Sequence, residues 1–69
     1  MPDSDKPAVH VHAERSGQRG FVGLAVDPAS GNVVVRTEPI EGEYAKFYAA
    51  RKARTLAQQK GYRVKKFKV

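Results

Sequence analysis

The segment Val9-His10-Val11-His12 alternates apolar and polar side chains with period two, the spacing of a half-buried β-strand. Two glycines in RSGQRG (15–20) place a turn after it. From Phe21 to Val26 the pattern resumes as a second strand, with Val22, Leu24 and Val26 on one face and Phe21, Gly23 and Ala25 on the other. Gly23 is expected to mark a bulge or a close approach by another backbone. Asp27-Pro28-Ala29-Ser30-Gly31-Asn32 is turn chemistry throughout: Asp bonds the turn backbone, Pro presets φ, and Gly31 accepts the left-handed corner. Val33 to Thr37 is β-branched apart from Arg36, so residues 21–37 are expected to form a hairpin with a loop of four to six residues.

Pro39 ends that third strand, and a helix is expected from about Glu41 or Glu43 to Lys60. Alanines at 45, 49, 50, 53 and 57, with Leu56, are good helix formers. The two glutamates sit in or beside the first turn, where the helix dipole favours acids, and Lys60 with Gly61 supplies the other end. On a wheel Ala45, Ala49, Ala53 and Leu56 share an arc of mostly small groups, suited to lying close on a sheet whose valines and Leu24 provide bulk. Tyr44, Phe47, Arg51 and Arg54 fall roughly opposite, with Tyr48 at the edge. Three aromatics off the alanine face admit three readings. The helix can be rotated so that Tyr44 or Tyr48 completes the core, the face through Tyr44 and Phe47 can form a homodimer, or the rings can stack on bases between arginines.

The last ten residues, KGYRVKKFKV, read as a fourth strand with a break in parity. Tyr62 and Val64 share one face, whereas Phe67 and Val69 have the opposite parity. One extra residue at Lys65-Lys66, a bulge, returns all four to the same side. The strand is expected to pair with a sheet edge, most simply beside the first strand. These elements predict an α+β fold of order β-β-β-α-β: an antiparallel sheet of three to four strands with one helix packed on one face. Residues 1–7, MPDSDKP, read as a disordered leader, and residues 8–69 as a single small domain. The expected core is Val9, Val11, Val22, Leu24, Val26, Val33 or Val34, Val35, Ala49, Ala53, Leu56, Val64 and Phe67.

Charge changes the picture in one half of the chain. The net charge of +6 is concentrated there, because residues 43–69 hold nine basic side chains against Glu43 alone. A basic block of this kind raises the local anion concentration and speeds encounter with polyanions. The candidate nucleic-acid-binding residues are therefore Arg51, Arg54, Arg63, Lys65, Lys66 and Lys68, with Arg15 and Arg19 at the first turn as a secondary set. Lysines and a bulge on an edge strand also serve as protection against sheet aggregation, and that reading competes for the last strand taken alone. Lys46, Arg51, Lys52 and Arg54 on the helix tilt the balance toward a polyanion.

Other chemistry is thin. With 69 residues and no cysteine, the chain has no disulfide, thiolate nucleophile or Cys-based zinc site, as suits a reducing cytoplasm, the expected compartment. His10, His12 and Glu14 alternate on one strand, but same-face neighbours stand about 6–7 Å apart with no fourth ligand, so no metal and no cofactor is expected. There is no Gly-rich phosphate loop and no Ser placed against a His, so the chain is not expected to be an enzyme. No run approaches the ~20 apolar residues of a membrane span.

In shape, three strands followed by a helix look like the arm-binding domains of tyrosine integrases, which read DNA with the sheet. The order β-β-β-α-β is similar to that of HicB-type antitoxins, which bind a toxin; both are analogies of fold alone. The leading expectation is thus a small, basic, non-catalytic protein that binds DNA or RNA mainly through phosphate contacts. The alternative is a protein-interaction module, antitoxin-like or a small regulatory subunit, docking an acidic partner surface.

Overall fold

The computed structural model describes residues 6–18 and 20–69. Five strands and one helix follow in the order β1 (Ala8–Ser16), β2 (Gly20–Val26), β3 (Val33–Arg36), β4 (Ile40–Glu41), α1 (Ala45–Gln59) and β5 (Arg63–Phe67). The sheet runs β3-β2-β1-β5, with β4 pairing the end of β2 beyond β3. The fold is α+β with the helix on one face, as expected, but the sheet is mixed. The strands β1, β2 and β3 are antiparallel neighbours, whereas β5 lies parallel to β1. The parallel sense follows from α1: a helix of 15 residues carries the chain back along the sheet, so β5 starts at the end where β1 starts.

The hairpin between β2 and β3 closes as its residues dictate. The Asp27 carboxylate accepts from the Ala29 N–H at 2.9 Å, and the Gly31 N–H donates to the Asp27 carbonyl at 2.7 Å. Gly31 has a φ of 78°, a conformation with no steric cost for glycine. A bulge follows, because Ala25 faces Val35 while Val26 faces Val33, leaving Val34 as the extra residue. After Arg36 the chain departs from β2 and returns only at β4. Thr37 fills the gap: the Gly23 N–H donates to its Oγ1 at 2.8 Å, and the Thr37 N–H donates to the Gly23 carbonyl at 2.9 Å.

The core lies between α1 and one face of the sheet, and it is the small-residue face of β2 that meets the helix. In register with β2, Val11 stands against Ala25 and Ala13 against Gly23. A methyl group at Gly23 would overlap the carbonyl group of Ala49 and approach the Ala53 Cβ to 2.9 Å, so the helix backbone rests almost on the strand. Bulk comes from the flanks: Val9, Val11 and Val35 are buried with Ala50, Ala53 and Ala57, and Leu56, Tyr62, Val64 and Phe67 pack against them. This corrects the expectation that Leu24 supplies bulk beneath the helix. Val22 and Leu24 are buried, but on the opposite face, where Leu24 stands between His12 and Arg36 in register. Val26 is half-buried, and of the pair Val33 or Val34 it is Val34 that packs against the core, while Val33 is exposed.

Two further expectations shift. The helix begins at Ala45 with Tyr44 as its N-cap, so no acid occupies the first turn, and Glu41 belongs to β4. Its other end closes as read, in a Schellman arrangement. The Gly61 N–H donates to the Gln58 carbonyl and the Tyr62 N–H to the Ala57 carbonyl, with Gly61 at φ 93°. Of the expected leader, residues 1–5 lie outside the described residues, and Pro7 is tied to the sheet through the Arg63 N–H, which donates to its carbonyl at 2.8 Å.

Candidate nucleic-acid interface

The alanine stripe decides where the charged and aromatic side chains go. Ala45, Ala49, Ala50, Ala53 and Ala57 are all buried, which centres the packed side of α1 near Ala53. Inclusion of Ala50 and Ala57 rotates the helix away from Tyr48, so the expectation that Tyr44 or Tyr48 completes the core is overturned. Tyr44, Phe47 and Tyr48 are 62%, 43% and 53% exposed. The three rings hold one another edge-to-face, with centroids 6.5 Å apart for Tyr44–Tyr48 and 5.9 Å for Phe47–Tyr48. The Arg51 guanidinium lies over the Phe47 ring at 5.4 Å. The outer face of α1 thus carries three exposed aromatics continued by Arg51 and Lys52.

The bulge in the last strand falls where the parity requires it. Val9 faces Val64 and His10 faces Lys66, so Lys65 is the extra residue. Tyr62, Val64 and Phe67 pack on the core, while Val69 is 47% exposed and does not follow them. Lys65, Lys66 and Lys68 are exposed. Lys66 stands beside His10, on the sheet face away from the helix. Arg54 bridges the two basic surfaces: it is half-buried, with its guanidinium 4.7 Å above the Phe67 ring. The basic side chains at the β5 edge therefore run from Arg54 and Lys65 to Lys66 and Lys68, with Arg51 beside them on the outer face of α1 and Lys52 on its opposite flank.

Among the described residues none of these side chains makes an ion pair. The expected site residues are not all brought together. Arg63 is half-buried at the start of β5, its Nε buried without a hydrogen-bond partner, in a small cleft with Lys6, Gln58 and Tyr62. Arg15 stands at the opposite end of the molecule, over the Phe21 ring at 5.9 Å, and Arg19 lies outside the described residues. Lys46, counted from sequence only as one of the helix's basic side chains, lies apart from the others. It joins Lys66, Lys68, His10, His12 and Ala13 around an open groove of about 550 Å³ beside β1. Only the observed rotation of the helix reveals that side chain's direction.

His12 Nε2 lies 3.3 Å from a Glu14 carboxylate oxygen on the far face of the sheet. Among the described residues no group of three or more His, Asp or Glu side chains is placed to hold a metal ion, and no helix is long and apolar enough to cross a membrane. No family model, curated protein or solved structure matches the chain, so the shape analogies to integrase arm-binding domains and HicB-type antitoxins gain no support.

Proposed function

We propose that this protein is a small, non-catalytic nucleic-acid-binding protein that engages DNA or RNA through phosphate contacts around the β5 edge and through base stacking on the outer face of α1. The observation that carries the reading is the exposed Tyr44–Phe47–Tyr48 cluster continued by Arg51 in a segment with no carboxylate after Glu43. Rings held edge-to-face on a helix surface, interleaved with guanidinium groups, suit unpaired bases, which offer a π-face whatever their sequence. Single strands are accordingly the better substrate. Arg51, Lys52, Arg54, Lys65, Lys66 and Lys68 carry the phosphate contacts, while Arg63 and Arg15 stand apart from them.

Titration of labelled single-stranded DNA, single-stranded RNA and duplex DNA at two salt concentrations tests the proposal. Single strands bind more tightly, and log affinity falls by about 0.7 per phosphate contact for each tenfold rise in salt. The pair Arg51→Glu and Lys66→Glu abolishes binding with little change in melting temperature, because both side chains are exposed. A chain that binds neither DNA nor RNA at low salt overturns the reading. The alternative, a module that docks an acidic protein surface, is favoured by a separate observation: beyond Val11 the outer edge of β1 has no strand beside it among the described residues.

A further inference from the structure

The two long strands of this sheet are unequally covered. β1 extends from Ala8 to Ser16, but its pairing with β5 stops at Val11. The last contact along that edge is the Lys68 N–H, which donates to the Val11 carbonyl at 2.9 Å. Backbone groups alternate sides along a strand, so the residues that turn toward β5 are Pro7, Val9 and Val11, and next in the series come Ala13 and Arg15. The N–H and C=O groups of Ala13 and Arg15 therefore face outward, with no strand beside them among the described residues. Such an edge is a template for another extended backbone.

The surroundings say what kind of backbone. The groove lies where β5 would continue if it were longer, about 550 Å³ and open on one side. Val11, Ala13 and Lys46 line it on the helix side, and Val69 is also part of the lining. Val11 and Ala13 share the face of the sheet that meets α1, whereas Lys66 and Lys68 stand on the opposite face with His10 and His12. Among the residues that line the groove there is no carboxylate. Glu14 is the nearest acid in register, and its carboxylate is engaged by His12 at 3.3 Å.

The geometry points to strand addition: the outer edge of β1 from Ala13 to Arg15 takes an extended acidic peptide segment as an additional strand. Its apolar side chains share the helix-side face with Ala13, and its carboxylates lie on the opposite face with Lys66 and Lys68. Nucleic-acid phosphates can accept from the Ala13 and Arg15 N–H groups but offer no donor for their C=O groups, whereas an added strand pairs both. The site is independent of the aromatic face of α1, and oligonucleotides that fail to bind there leave it unaffected.

The test is amide hydrogen exchange of the full chain, read by NMR, with a short capped peptide alternating glutamate and valine. The peptide slows exchange at Ala13 and Arg15 by about tenfold or more while leaving the buried β2 amides unchanged. The same peptide with alternate amides N-methylated keeps its charge and binds about tenfold more weakly. The pair Lys66→Glu and Lys68→Glu weakens the unmodified peptide by about tenfold, as loss and reversal of two exposed ion pairs implies. The inference is overturned if the peptide does not bind, if it binds without protecting Ala13 and Arg15, or if the N-methylated peptide binds equally well. Protection of those two amides by an oligo-dT strand in place of the peptide overturns it in favour of nucleic acid.

Discussion

Gly23 sets how near the helix can lie. Its place on β2 opposite Ala49 and Ala53 leaves no room for a side chain, and the obstacle is helix backbone, which cannot swing aside as a rotamer can. Gly23→Ala is expected to cost about 3 kcal/mol, at the upper end of overpacking, read as a lower urea midpoint with an unchanged slope. Thr37 is the second such residue. It is buried, and its Oγ1 accepts from Gly23 while donating to the Glu38 carbonyl at 2.9 Å. Thr37→Val keeps the shape and orphans a buried N–H, at about 1–3 kcal/mol, whereas Thr37→Ser retains most of the stability. The sequence flagged Gly23, because a glycine amid Phe21 and Ala25 implies a close neighbour. Nothing in it flagged Thr37, since a hydroxyl that replaces a missing strand partner is visible only once β3 and β4 are known to leave a gap.

At the level of elements, what could be read was what depends on local periodicity. The hairpin at Asp27–Asn32, the alanine stripe and the bulge at Lys65 each follow from spacing within one segment. What could not be read depends on how segments meet. The wheel through Ala45, Ala49, Ala53 and Leu56 has its centre shifted by Ala50 and Ala57, and that shift turns Tyr48 outward. Likewise, β2 has two faces that both read as apolar, and helix contact selects the smaller one because only it lets the backbones approach. The bulge gives the third prediction. Deletion of Lys65 turns Phe67 away from the core and strips Arg54 of its ring, so stability falls by about 2 kcal/mol, the worth of burying an aromatic of this kind. If circular dichroism shows an unchanged thermal midpoint for the deletion, the register assigned to β5 is wrong.

Across the whole molecule, the basic side chains divide between the β5 edge and the outer face of α1, where Arg51 adjoins the exposed aromatics. The half of the chain after Gly42 supplies the helix and the edge strand, and these bring nine basic side chains to one end of the fold's connectivity. The count was legible in the sequence; its division was not. Arg54 covers Phe67 and so belongs partly to the core, Arg63 is drawn into a separate cleft, and Arg51 is left beside the aromatics. Substitution of Arg54 therefore confounds binding with stability, and Arg51 is the cleaner probe. The central claim is that the outer face of α1 is a stacking platform. It is tested most directly by the affinity of the Phe47→Ala, Tyr48→Ala double variant for a single-stranded oligonucleotide, measured beside its melting temperature. Both rings are substantially exposed, and stacking is worth about 1–3 kcal/mol per base. The account predicts affinity lower by about tenfold or more at an essentially unchanged melting temperature, whereas a variant that folds and binds as tightly as the parent would contradict it.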